Sequence, residues 1–456
     1  MTERWRTDYE SWGRVIRAPH QVARPSTREE AAACLTEDER PVLPCGCGRS
    51  YGDVGMNQGG RLIDCRGLDK FIAFDRVTGV LTCEAGVTLA DILAVACRPD
   101  ADGSGWLLPV TPGTRFVTVG GAIANDVHGK NHYKNGTFGS HVLSLELART
   151  DGTTRICTPH DNTELFAATV GGLGLTGMIL SATIQMRRVP GLAVEAEDIR
   201  FNGLADFFDL AGESDEDWEY TAAWIDCVSR GRSLGRGIYS RARHVPGRGA
   251  EPPPLRPRIR FPVMLPFSLV TPLTVPPFNA TYWRKLGWRR RSRQIGSYEK
   301  VFYPLDAIGE WNKAYGPNGL YQFQCRIPPG VMHDVVKELL NMIAASGQAS
   351  MLSVLKLFGN RTSPGMMSFP GPGATLALDF PNRGDRTKTL LHRMEQLVVQ
   401  AGGRLYPAKD GLMTAATFHA GYPAIDRFRP HIDPGFASGF ARRVALLPDA
   451  EPAPLP

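Results

Sequence analysis

Apolar positions fall along this chain in short blocks, and the period inside each block assigns an element. Residues 28–35 read as a helix and 41–44 as a short strand. Arg61–Asp64, Phe71–Asp75 and Val80–Glu84 read as strands. Thr88 then opens the helical stretch TLADILAVAC, with Thr88 as N-cap and Asp91 three residues on to complete a capping box. Residues 142–149 and 154–158 alternate as strands around the turn Asp151-Gly152. A short helix at 164–170 and a strand at 178–187 follow, and Pro190-Gly191 marks a domain boundary.

The second half mixes strands at 218–228, 237–240, 321–327, 351–358 and 374–380 with helices at 331–346 and 386–401. A final helix is expected near 434–446. The class is α+β, with a predominantly antiparallel sheet covered by helices. Three segments are expected: a first domain over 1–190, a second over 191–403, and a C-terminal stretch 404–456 returning to the first. Residues 244–293, rich in proline and arginine, carry no assignable element and are expected as a disordered or membrane-facing insertion.

Composition narrows the function classes. The 456 residues suffice for two or three domains, 43% of positions are apolar, and the formal charge is +6. That charge suits an anionic ligand or lipid surface. No nucleic-acid module accompanies it. Nine cysteines, an odd number without CxxC pairs, predict free thiols in a reducing compartment and no zinc site. The N-terminus has no apolar signal core, and no apolar run is long enough to span a bilayer. A cytoplasmic protein, or one meeting a membrane only peripherally, is expected.

Gly172–Gly177 spells GxGxxG, but a helix precedes it and a strand follows. A dinucleotide fingerprint needs the reverse order, so this is a glycine turn near a ligand. Two other loops are better candidates: GCGRSYGD at 46–53 and the stretch 112–139 holding PGT, TVGGAIAND and VHGKNH. Glycines let backbone N–H groups converge on phosphate oxygens, and two such loops can clamp one pyrophosphate.

These segments, together with ELFAATVGGLGLTG at 164–177, YPLD at 303–306, LKLFG at 355–359, GGRLYPAKD at 402–410 and TFHAGYP at 417–423, carry a resemblance over nearly the whole chain. The chain resembles the vanillyl-alcohol oxidase/p-cresol methylhydroxylase (PCMH) superfamily, and in finer detail the decaprenylphosphoryl-β-D-ribose oxidase family. The resemblance implies a two-domain FAD-binding fold and FAD contacts at Gly46, Gly48, Arg49, Ser50, Tyr51, Gly113, Thr118, Val119, Gly120, Gly121, Asn125, Val127, His128, Ile179 and Tyr406. Many superfamily members tether FAD through a histidine in the first loop. Arg49 and Ser50 stand there instead, so non-covalent FAD is expected.

The same resemblance implies oxidation of the ribose 2′-hydroxyl of a polyprenylphosphoryl ribose, with a short-chain NAD(P)H-dependent reductase completing epimerisation to arabinose. Substrate contacts would be Trp224, Tyr303, Gln322, Gln324, Lys356 and Lys409. Lys409 is the first candidate for the base, with His128 and Tyr51 as alternatives, and Lys356 suits the substrate phosphate or ribose. Two positions depart from the family: its active-site tyrosine aligns with Phe302, and the cysteine trapped by nitroaromatic inhibitors aligns with Ala377. The alternative substrate is another sugar, alditol, aldonolactone or cyclitol.

Overall fold

The computed structural model describes residues 4–36, 40–214 and 217–447. Two lobes share the chain. In the first, strands Phe71–Asp75, Val80–Glu84, Met178–Gln185, Val142–Ala148 and Thr154–Cys157 pair antiparallel, in that spatial order. A smaller sheet sets His20–Ala23 and Val42–Cys45 parallel to Arg61–Asp64. Helix Leu89–Ala96 starts at the Thr88 capping box, which satisfies two backbone donors that a bare helix end leaves unpaired.

The second lobe is one eight-stranded antiparallel sheet. Its spatial order is Arg291–Ser297, Ala193–Phe201, Gly237–His244, Tyr220–Ile225, Ser353–Phe358, Gly373–Pro381, Leu320–Ile327 and Arg404–Leu405. Side chains alternate across such a sheet. Leu355, Leu376, Leu378, Phe323 and Cys325 point into the core. Helix Met332–Ser346 covers that face with Val335, Val336, Leu339, Leu340 and Ile343, one apolar stripe at helical spacing. The intervening positions, among them Trp224, Gln322, Gln324, Lys356 and Asp379, line a cavity on the opposite face.

Two expectations change. The stretch 244–293 is not structureless: it holds helix Val275–Trp283 and the start of strand Arg291–Ser297, which pairs with Ala193–Phe201. Asn279, fully buried, donates to Asp226 Oδ1 at 2.9 Å and pins that helix to the sheet. The final helix is only Gly439–Arg443, capped by Ser438 and ended where Ala445 turns to positive φ. No described helix is long and apolar enough to cross a membrane.

One buried cation joins distant segments. Arg443 holds Asp53 through Nε and Nη2 at 2.9 and 2.7 Å, and its Nη2 also reaches Asp410 at 2.9 Å. It thereby fastens the C-terminal stretch to the first glycine loop and to the RLYPAKD element.

Candidate active site

A cavity of about 840 Å³ lies between the lobes, lined by both glycine loops and by the sheet's polar face. The first loop is threaded tightly. A Cβ on Gly46 would sit 2.4 Å from Thr118 Oγ1, and one on Gly52 would sit 1.9 Å from the Asp410 carbonyl oxygen. Tyr51 N–H donates to the Ala408 carbonyl at 3.0 Å, so GRSYGD and YPAKD are one assembly. Between these contacts, no N–H of Cys47 through Ser50 is taken up by another described protein group. Arg49 donates through Nε to the Phe116 carbonyl at 3.2 Å, and its guanidinium lies 4.0 Å from the Trp12 ring centre. It thus bridges the two loops.

The second loop works differently from its sequence expectation. The N–H groups of Gly120 and Gly121 are spent on the Ala85 carbonyl and Thr118 Oγ1. Gly120 is needed for packing, since a Cβ there would meet Ala85 at 3.1 Å. Gly113 faces open cavity, with nothing within 4 Å of where a Cβ would point. Asn125 Oδ1 is buried without a partner, while the Asn125 carbonyl accepts from Tyr406 Oη at 2.8 Å. Gly48, Ser50, Val127 and Ile179 also line the cavity, as do Leu173 and Gly174 of the GxGxxG turn.

Three shielded lysines line the cavity: Lys356 from the sheet, Lys130 from the second glycine loop and Lys409 from YPAKD. Lys356 and Lys409 have no ion pair among the described residues, and Lys130 donates to the Val301 carbonyl. Burial, with Lys130 and Lys409 nearby, pushes the Lys356 amine down to about 7. Burial pushes Lys130 down to about 8. Lys409 is also lowered by burial and by Arg49, against the pull of Asp379. Its ammonium lies 4.2 Å from the Tyr51 ring centre.

His128 accepts at Nε2 from the Gln324 amide at 3.0 Å, which assigns its proton to Nδ1, a buried atom without a partner. Burial and the Lys356 charge hold its pKa well below the usual imidazole value. Tyr51 is pushed the other way, by burial and the Asp379 charge, and stays protonated.

Two expected site residues lie elsewhere. Val119 is fully buried in the first-lobe core, its N–H on the Val87 carbonyl. Tyr303 is buried in the same core, sharing a hydrogen bond with Thr111 at 2.7 Å, while its neighbour Phe302 faces the cavity. Sequence reasoning assigned no role to Lys130, which sits inside VHGKNH, or to Asp379. The strand parity that Asp379 shares with Ala377 was the available signal.

Known proteins agree with this geometry. A family model described as an FAD binding domain matches residues 19–158. The decaprenylphosphoryl-β-D-ribose oxidase of Mycolicibacterium smegmatis is 38% identical over 96% of this chain and 97% of its own. A Streptomyces coelicolor protein, described as an uncharacterized protein in the mprA 5′ region, is 34% identical over 75% of this chain and 96% of its own. L-Gulonolactone oxidase of Mus musculus is 27% identical over 39% of this chain and 40% of its own.

Fold and site together define an FAD-dependent oxidoreductase of the PCMH type acting on CH–OH groups. Within that class, the chain belongs to the decaprenylphosphoryl-β-D-ribose oxidase family. The residues present fit FAD. The unspent N–H groups at 47–50 suit phosphate oxygens, Gly113 leaves room for backbone approach, and Asn125 Oδ1 offers an unmet acceptor.

Proposed function

We propose that this protein oxidises the ribose 2′-hydroxyl of a polyprenylphosphoryl-β-D-ribose to the 2′-keto sugar, with FAD held without a covalent tether. The observation carrying the substrate class is the set of cavity lysines, of which Lys356 and Lys409 lack ion-pair partners among the described residues. Unpaired buried ammonium groups are costly, and the phosphodiester monoanion of such a substrate offsets that cost. The relatives named for lactone oxidation match only about two fifths of the chain, which disfavours an alditol or aldonolactone substrate.

Bound FAD supplies the two-electron acceptor for the carbinol hydrogen. Lys409 serves as the base, since a lowered amine without an ion pair among the described residues can take the hydroxyl proton near neutral pH. Tyr51 and His128 are less suited. Tyr51 holds its own proton, and the free ring nitrogen of His128 already carries one. His128 instead donates to a sugar oxygen, oriented by Gln324. Lys356 and Lys130 bind the phosphate, and Trp224, fixed by its Nε1 bond to the Met351 carbonyl at 2.9 Å, walls the sugar.

The segment 252–298 contains eight arginines, one lysine and no acidic residue. Its surface exposes Leu255, Ile259, Val263, Phe267, Leu273 and Trp288. Basic residues interleaved with exposed apolar ones suit an anionic bilayer, from which a lipid-linked sugar can enter past Phe278 and Tyr282. A short-chain reductase returning the keto sugar as arabinose completes the sequence. The domain division at residue 190 follows the same reading, while the second lobe extends past 403 through the paired strand Arg404–Leu405.

Anaerobic mixing with a prenylphosphoryl ribose, then with alditols and aldonolactones, tests the function. Only the ribose bleaches the flavin absorbance; bleaching by the others alone refutes the substrate. Acid precipitation releases a yellow supernatant if FAD is untethered, and a yellow pellet refutes that.

A further inference from the structure

The reaction so derived leaves one buried carboxylate unused. Asp379 is 1% exposed and lines the same cavity as Lys409. One of its oxygens accepts from Gln322 Nε2, its cross-strand partner, and the other has no partner. Its backbone N–H donates to Ser350 Oγ at 3.1 Å, so its position is fixed by the sheet and the loop before Ser353. A bare carboxylate oxygen in a dry wall is costly unless a cation answers it.

The titratable groups that feel Asp379 are Lys409, Tyr51 and Tyr315. Arg49 acts on Lys409 with the opposite sign, and Lys409 in turn acts on Lys356 and His128. Burial raises the Asp379 pKa while Gln322 and Lys409 pull it back down, and once ionised it is the carboxylate that answers Lys409 in this wall. Gln322, expected to touch substrate, spends its amide on holding that carboxylate.

We propose that Asp379 is a positioning residue for the proton transfer: fixed by Gln322, its carboxylate balances the charge that Lys409 gains on taking the substrate hydroxyl proton. The O–H bond breaks and an N–H bond forms at Lys409 Nζ. Bound FAD would supply the acceptor for the carbinol hydrogen and its C–H electron pair as the C=O bond forms. No other reactant is needed. The inference rests on Lys409 being the base.

Burial and Arg49 both lower the Lys409 pKa, and Asp379 restores part of its basicity. The test is competitive acetylation of the FAD-loaded protein by acetic anhydride across a pH series, with the Lys409 peptide quantified by mass spectrometry. D379N is expected to lower the Lys409 midpoint by about one pH unit. D379E is expected to keep it near wild type. The acid limb of kcat moves down with the midpoint in D379N, a shift that a merely structural loss does not produce. A D379N midpoint equal to wild type overturns the proposal. If D379N does not retain FAD, Gln322→Met replaces it. Losing the donor to Asp379 lowers the Lys409 midpoint by a smaller step, and no movement overturns the proposal. Labelling needs no turnover, so failure of the ribose assay and failure of the Asp379 role are separate results.

Discussion

Replacing Arg443 with methionine tests how the two signature loops are held together. The guanidinium makes three charge-assisted hydrogen bonds to Asp53 and Asp410 and is 4% exposed. Methionine fills much of the volume but leaves both carboxylates buried without a cation. Breaking a buried pair from one side costs about 3–5 kcal/mol. The unfolding entropy is about 2 cal/mol/K per residue, so in a chain of this length the melting temperature falls by about 3–5 °C. Burial already raises the Asp410 pKa, and losing Arg443 raises it further. A carboxyl raised in the folded state binds its proton more tightly there than when unfolded, so stability falls as pH rises through the folded value. The penalty is therefore smaller in acid than in mild base. Differential scanning fluorimetry and flavin release, followed at both pH values, measure it. Arg427→Met is the control, because its pair with Glu164 at 3.3 Å is exposed and contributes under about 1 kcal/mol. An Arg443 variant that melts with the Arg427 variant, or loses more stability in acid, refutes the reasoning.

Four further outcomes follow from the site and from the surface segment beside it. Lys356→Met raises KM for a prenylphosphoryl ribose by about tenfold or more while the ligand-free protein melts higher, because a buried unpaired ammonium is removed; a lower melting temperature contradicts the burial argument. With its amine near 7, Lys356 is cationic below that pH and neutral above it, so wild-type KM rises from pH 6 to pH 8 and the Lys356→Met variant lacks that rise. Ala377 lines the cavity between Gln324 and Val354, so the wild type forms no nitroaromatic adduct, whereas Ala377→Cys gains one by intact mass; an adduct at this site in the wild type refutes the assignment. Leu273→Asp with Arg289→Glu and Arg290→Glu weakens sedimentation with anionic vesicles by more than about tenfold, at about 1 kcal/mol per basic residue, and unchanged binding removes the lipid contact.

How much of this was legible depends on which rule governed each position. Period-two alternation at 320–327 and 373–381 follows directly from residue order, and so does the cavity face it creates. Thr88 and Asp91 were readable because a capping box is a local hydrogen-bond pattern. Tyr303 was not readable. It and Phe302 are adjacent at the end of a short helix, and only packing against Thr111 and Arg115 decides which ring faces the cavity. Val119 escaped for the same reason, as a core residue inside a glycine loop. The helix Val275–Trp283 did leave a trace: Pro276 and Pro277 sit at its first turn, where a missing N–H costs nothing. Neighbouring arginines and prolines hid it. Strand parity puts Asp379 on the cavity face, but its significance comes from Lys409, which lies on another element.

The alternating sheet also limits how this enzyme can diverge. Gln322, Gln324, Ala377 and Asp379 each have a core residue as the next neighbour in the chain. Inserting or deleting one residue within these strands would exchange the two faces, putting leucines into the cavity and polar groups into the core. New substrate preferences are therefore reachable by point substitution at every second position, and strand length is closed to evolution while the connecting loops stay free to vary. Ala377 is one such position, forming cavity wall within a strand whose register with its neighbour is unbroken.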